Sequence, residues 1–293
     1  MEKPQTRAGY SLAQTVTCER ALVTLLRGLG PWKDSIYLVG GLTARYLTPA
    51  GSSHVGTLDV DVVVDIQLLA GVEAYRSLES NLRSLGFRPV DRDGKPTRSS
   101  WRWKKRTEDG ETIILELLTD DPAKSGGQVQ VTPGEGTIKV LNVPHSSIVF
   151  DHYQVREITA ELLDGNGIAS ERVKHADLLG FTCLKALAIN QRFERKDAYD
   201  LVHCIEHAER GLDALSESIR RAREGKHGAV VEAALQALRK HFASDGRTEG
   251  YKKDGPVAVS KFERGEEVEQ HEARVLRQRR VSELIEDLLS GIG

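Results

Sequence analysis

The stretch from Ile36 to Asp65, IYLVGGLTARYLTPAGSSHVGTLDVDVVVD, places a glycine pair and two spaced carboxylates inside apolar, strand-like runs. Ile36 to Val39 reads as a short buried strand, Gly40-Gly41 as the turn leaving it, and Leu42 to Leu47 as the start of a helix. Glycine at that turn lets backbone N–H groups approach a phosphate without a side chain in the way, and the helix N-terminus behind it adds partial positive charge. Leu58 to Val64 is rich in valine and broken only by Asp59 and Asp61, which predicts a second strand. With about 3.3 Å of rise per residue and alternating faces, both carboxylates leave one face with roots roughly 6.6 Å apart. Two metal ions about 3.5–4 Å apart fit between such acids and a nucleotide. The alternative, two acids in a half-buried strand without metal, has to offset the desolvation of like charges.

Outward from this stretch, Leu12 to Leu29 predicts a helix that Gly30 and Pro31 stop. The connection TPAGSSHVG is polar and turn-rich, and its His54 reads as solvated rather than as a ligand. Val72 to Leu85 has helical spacing, Phe87 to Asp91 reads as a strand, and Trp101 to Lys105 pairs with Thr112 to Leu118 through the turn Thr107-Glu108-Asp109-Gly110. Glu116 interrupts the apolar run IILELL, so it is either liganded or held in a salt bridge. Asp120 and Asp121 read as turn residues. In RSSWRWKKR, Trp101 and Trp103 share one strand face while Arg102 and Lys104 share the other, which suits an amphipathic strand with or without phosphate contacts.

Lys124 to Gly136 reads as a loop, Val140 to Val143 and Ile148 to Phe150 as short strands, and Tyr153 to Leu163 as an alternating stretch before the turn Asp164 to Gly167. The pattern then becomes helical. Asp177 to Arg192 and Lys196 to Glu209 are consecutive helices, with Lys185 and Arg192 on nearly one face of the first and Asp197 and Asp200 three apart on the second. Helices follow at Ala214 to Arg223, at His227 to Phe242 and, after a polar stretch from Ser244 to Pro256, around Glu266 to Leu289. The last carries Arg274, Arg277, Arg279 and Arg280, a solvated charged face or a contact surface.

The Gly-Gly turn, the helix, the short loop and Thr57-x-Asp59-x-Asp61 resemble the nucleotidyltransferase superfamily of DNA polymerase beta type. A second match, Lys185, Ala188 and Arg192 followed by Lys196, Asp197, Asp200 and Leu201, resembles the AbiEii/MenT family of bacterial toxin nucleotidyltransferases. The resemblance covers mainly residues 36–65, 112–118 and 177–201, and it departs at Val55-Gly56, where many relatives carry an arginine. It implies a bilobed α/β (α+β) fold, with a mixed sheet and helices over residues 1–170 and a helical lobe over 171–293 that completes a nucleotide and acceptor cleft.

The implied reaction is Mg²⁺-dependent transfer of a nucleoside monophosphate from an NTP to an acceptor hydroxyl. Asp59, Asp61 and Glu116 would ligate the metal and, with Lys185, form the catalytic set, while Gly40, Gly41, Thr57, Lys185, Arg192 and Asp200 would meet the nucleotide. The MenT group points to the 3′ end of tRNA as acceptor, to growth inhibition as the result, and to an AbiEi-like antitoxin as partner. Arg102, Lys104, Lys105 and Arg106 are the expected acceptor-RNA contacts. A small-molecule or protein acceptor, or a catalytically idle nucleotide- or partner-binding module, are the alternatives.

At 293 residues with 39% hydrophobic content, the chain is long enough for two domains. A formal charge of −2 gives no global attraction to nucleic acid, so any such site must be a local basic patch. Cys18, Cys183 and Cys204 lack metal-ligand spacing and cannot all pair within one chain, which suits small core residues in a reduced cytoplasm. The N-terminal segment has no apolar signal core and no run approaches the ~18 apolar residues of a membrane helix, so a cytoplasmic protein off the membrane is expected.

Overall fold

The computed structural model describes residues 3–49, 52–66, 72–131 and 138–293. They fold into two compact units, one made of the described residues of 11–43 and 56–176, the other of those of 3–10, 44–55 and 177–293. No helix among the described residues is long and apolar enough to cross a membrane.

The first unit is built on a mixed sheet. Helix α1 (Leu12–Leu29) buries Cys18, Ala21, Leu22, Leu25, Leu26 and Leu29. Strand β1 (Ile36–Val39) is buried at all four residues, and α2 (Gly40–Leu47) begins at the glycine pair itself rather than at Leu42. Gly40 adopts φ +71°, a conformation glycine takes without strain, so the chain passes from strand to helix with no intervening loop. There follow β2 (Asp59–Val64), α3 (Val72–Ser84), β3 (Arg88–Val90), β4 (Arg102–Arg106), β5 (Thr112–Thr119), β6 (Val129–Val131), β7 (Lys139–Asn142), β8 (Tyr153–Glu161) and β9 (Ile168–Ala176). The strand order is β3-β4-β5-β2-β1-β9-β8, with β7 also pairing β5 and β6 pairing β7. Strand β1 runs antiparallel to β2 and parallel to β9, while β2 runs parallel to β5.

Three expectations change here. Ile148 to Phe150 lies in a 3₁₀ turn, Ser146–Phe150, rather than a strand. The left-handed His145 at φ 70° before it breaks an extended path. The stretch after the turn at Asp164 is not yet helix but the nine-residue β9, which pairs along its whole length with β8. Its alternation is muted because Ile168, Ser170 and Arg172 are exposed while Glu171, Val173 and His175 are buried, so charge sits on both faces. The expected loop from Lys124 to Gly136 contains β6, and its residues 132–136 lie outside the described ones, as do residues 50 and 51 of the connection before β2.

The second unit is helical: α4 (Leu178–Arg192), α5 (Arg195–Glu206), α6 (Gly211–Arg223), α7 (Gly228–Phe242), α8 (Asp254–Arg264) and α9 (His271–Ile292). Asp177 caps α4 by accepting from the Gly180 N–H at 2.8 Å. Helix α8 begins at Asp254, inside the expected polar stretch, and runs on to Arg264 through residues for which no element was expected. Pro256 lies in its first turn, where the missing N–H has no helical partner to lose, and Ala258, Val259 and Phe262 bury behind it. The three cysteines are free and buried.

Phe262, Tyr199 and Val55 form a buried cluster against which Tyr10 packs, with the Phe262 ring 4.9 Å from Tyr199 and 5.8 Å from Tyr10. Four chain segments distant in sequence thus meet around the Phe262 ring. Phe262→Ala is expected to cost about 3–5 kcal/mol of unfolding free energy, read by urea denaturation; a loss under ~1 kcal/mol would contradict this account of the cluster.

Candidate functional site

Sheet register decides which side chains share a face. Val39 stands opposite Asp61, Asp61 is the parallel neighbour of Glu116, and Glu116 stands opposite Arg102. Cross-strand partners project to the same side, so Asp61, Glu116 and Arg102 form a polar row across three adjacent strands. Asp59, two residues before Asp61, joins that face beside Ile114. The other face carries Val60, Val62, Leu115, Leu117 and Trp103, all buried. Helix α1 packs against β2, β5, β8 and β9.

Gly40 is where the row meets the backbone. A Cβ built there would lie 2.0 Å from Asp61 Oδ2, so the carboxylate occupies the space any side chain would need. The first N–H groups of α2 have no partner within the helix, and negative charge at that end is favoured. Asp59 is held from its own strand: the Thr57 hydroxyl donates to Asp59 Oδ1 at 2.8 Å. Thr57 is itself fixed, its N–H donating to Thr15 Oγ1 at 3.1 Å and its carbonyl accepting from the Cys18 thiol at 3.8 Å. Thr57, expected to meet phosphate, thus spends its hydroxyl proton on Asp59. Burial first, then the charges of Asp59 and Asp61, push the Cys18 thiol far above its usual range, so it stays protonated.

Glu116 has Arg102 Nε 3.1 Å from its Oε1. The N–H is not aligned as a hydrogen bond to that oxygen, so the contact is an ion pair. Arg102 also donates to the Arg92 carbonyl at 2.9 Å. Of the remaining acceptor-RNA residues, Lys104 and Arg106 alternate with Arg102 on the polar face, half-buried and exposed respectively. Lys105 requires a correction. Strand alternation puts it with Trp103 on the buried side, where its ammonium donates to the Leu85 carbonyl at 2.6 Å and pairs with Asp164. It is therefore removed from any RNA surface on this face.

Among the described residues, no group of three or more His, Cys, Asp or Glu side chains could hold a metal ion alone. Magnesium rarely uses an all-protein cage; it usually takes one or two carboxylates and completes its shell with phosphate oxygens and water. Asp59 and Asp61, oxygen donors two residues apart on one strand face, fit that partial role.

In the helical unit, Lys185 and Asp200 belong to a buried charge network that the exposed Arg192 joins at its edge. Lys185 Nζ donates to Asp197 Oδ1 at 2.7 Å and Asp200 Oδ2 at 2.8 Å, and Arg192 Nε donates to Asp197 Oδ2 at 2.9 Å. Lys196 pairs with Asp200, and its ammonium lies 5.2 Å from the Tyr10 ring centre. Burial alone would lower the Lys185 pKa; the charges of Asp197 and Asp200 outweigh it and raise it. Burial likewise opposes ionisation of Asp200, but Lys185 and Lys196 prevail and hold it well below the usual carboxylate range.

The side chain of His54, expected in solvent, is instead buried, with Nε2 2.9 Å from Asp200 Oδ1 and its ring stacked on Tyr199. The reason is the Val55 side chain beside it, which anchors that loop in the aromatic cluster. His54 also lies 5.0 Å from His203, which stacks on His207 at 4.2 Å. Burial, then the neighbouring His54 and His207, lower His203 to about 3, and burial also lowers His54. The expected arginine-rich surface of α9 is partly consumed: Arg274 donates to the Gly265 and Glu267 carbonyls, and Arg277 pairs with Glu206 and Glu263.

No protein-family model matches this sequence, and no curated protein sequence matches it. Among solved structures, the chain is similar to an antigenic nucleotidyltransferase-like protein from Paracoccidioides brasiliensis, at 17% identity over 75% of this chain and 94% of that one, with a TM-score of 0.38. A likeness of that depth leaves activity to be argued from the site residues themselves.

Lys185→Met leaves two buried carboxylates short of a cation, and removing one partner from such a network is expected to cost about 3–5 kcal/mol in urea unfolding. A change under ~1 kcal/mol would contradict the network's role. The histidines set a pH dependence whose sign follows from their lowered values: the unfolded chain takes up protons first, so their contribution is complete above about pH 6.5 and is lost as pH falls toward the folded value of about 3. His203→Gln should flatten the stability profile between about pH 6.5 and 4; an unchanged slope would show that His203 does not carry it.

Proposed function

We propose that this chain is a Mg²⁺-dependent nucleotidyltransferase that moves a nucleoside monophosphate from an NTP to an acceptor hydroxyl: the hydroxyl oxygen bonds to the α-phosphorus as the α–β bond breaks, and pyrophosphate leaves. One observation carries the reading: the Gly40 backbone, at the start of α2, lies against the carboxylate of Asp61, with Asp59 on the same strand face. That arrangement sets one oxygen donor for a cation against the start of α2, whose backbone N–H groups suit phosphate, and a second two residues away on the same strand face.

In this reading Asp59 and Asp61 hold Mg²⁺, which when bound supplies charge neutralisation for the triphosphate. Gly40 and Gly41 bring the α2 N-terminal N–H groups toward the phosphates without a side chain between them. Glu116, in the same row as Asp61, accepts the proton of the acceptor hydroxyl, and Arg102 holds Glu116 in place. The polar face continues onto β4 through Lys104 and Arg106, cations suited to the backbone of an RNA acceptor. The resemblance to the AbiEii/MenT family supports the finer part: the 3′ end of tRNA as acceptor, a toxin that blocks translation and growth, an AbiEi-like antitoxin as its partner, and Lys185, Arg192 and Asp200 as residues meeting the nucleotide.

Purified protein incubated with Mg²⁺, each labelled NTP and total RNA should label tRNA. Asp59→Ala and Asp61→Ala should each reduce labelling by at least about 10²-fold while remaining folded, given what positioned charge contributes to such chemistry. Wild-type labelling by both variants would refute the assignment; labelled protein or a labelled small molecule would move the acceptor class, and no product with any NTP would favour an idle binding module.

A further inference from the structure

We infer that Thr15, at the N-terminal end of the packing surface of α1, is a positioning residue for Asp59, acting through Thr57. The inference rests on the cation reading of Asp59 and Asp61 above, and adds a residue that lies 44 positions from Asp59 by the numbering and touches neither carboxylate in the hydrogen bonds described.

Thr15 falls three residues before Cys18 on the buried stripe of α1, where an apolar side chain would serve packing equally well. A hydroxyl in such a place is costly unless it is bonded. Its Oγ1 donates to the Ser11 carbonyl at 3.2 Å and accepts the Thr57 N–H at 3.1 Å. The backbone closes on it as well: a Cβ at Gly56, which has φ +90°, would lie 1.7 Å from Thr15 Oγ1. The residue before Thr57 therefore has to be glycine for the approach to occur. Held by its backbone, Thr57 aims its single hydroxyl proton at Asp59 Oδ1, 2.8 Å away.

Thr15, Thr57 and Asp59 are exposed by only 2%, 3% and 5%, so water is a poor substitute for any link of the chain. A hydrogen bond that orients a ligating carboxylate tunes how well it receives a cation. Thr15 thus does for Asp59 what the Gly40 backbone does for Asp61: it fixes where the carboxylate can stand.

The test uses Mn²⁺ as a spectroscopic substitute for Mg²⁺, titrated by electron paramagnetic resonance into the full-length protein with a non-hydrolysable NTP analogue. Thr15→Val, which keeps shape but removes the hydroxyl, should raise the half-saturating Mn²⁺ concentration by about tenfold or more, and Thr15→Ser should restore it. Melting temperatures measured alongside separate this from simple loosening of α1, since a purely structural role lowers Tm for Thr15→Val and leaves cation affinity of the folded protein unchanged. That second outcome would overturn the relay. Asp59→Asn is the control for the underlying reading: if it removes Mn²⁺ binding while Thr15→Val does not, the relay alone fails. If Asp59→Asn also leaves Mn²⁺ binding intact, the cation site and the relay fall together.

Discussion

The absence of a side chain at Gly40 is the constraint on which the candidate site depends. The strand β1 ends and the helix α2 begins at that residue, and the Asp61 carboxylate fills the volume a Cβ would take. An alanine there would displace the carboxylate or the backbone, and its positive φ would add strain. The same contact brings the negative charge of Asp61 to the end of the helix that favours it. Because β2 also pairs with β5, holding Asp61 sets the row that continues through Glu116 to Arg102. A local steric requirement thereby organises polar groups contributed by three strands.

Charge is handled differently in the helical unit. Two carboxylates there, Asp197 and Asp200, are shared among Lys185, Lys196, Arg192 and His54, all close enough for direct contact. Such a network is weak evidence for net stability, since apolar replacements often serve as well, but losing one member is costly. It ties α4, α5 and the segment carrying His54 to one geometry, and the adjacent histidine stack makes that geometry sensitive to acid. The motif resemblance and the structural network involve the same residues, which is why stability and nucleotide affinity have to be measured separately in any variant of Lys185.

Much of the fold was legible in the sequence because local signals agreed. The apolar run of β1, the valine-rich β2, the β4–β5 hairpin around Thr107 to Gly110 and the stripe of α1 each combine periodicity with a clear stop. Asp59, Asp61 and Gly40 were legible for the same reason: polar or special residues stood out inside apolar strands. What escaped depended on contacts far along the chain. Strand β9 buries Glu171 through pairing with Lys33 and Arg27, so its inward face does not look apolar. Helix α8 hid behind Gly255-Pro256, and His54 looked solvated because nothing near it in sequence announces Asp200. Thr15 left no signal, since a threonine on an apolar helical stripe reads as packing until its partner Thr57 is seen.

In the proposed function, Asp59 and Asp61 receive a divalent cation together with a nucleotide on the sheet face they share. Crystals grown with Mn²⁺ and a non-hydrolysable NTP analogue, measured for anomalous scattering from manganese, test it most directly. An anomalous peak is expected within about 2.0–2.3 Å of oxygens from both Asp59 and Asp61, with phosphate oxygens completing the shell. A nucleotide bound elsewhere, or one bound here with no cation at either carboxylate, would contradict it.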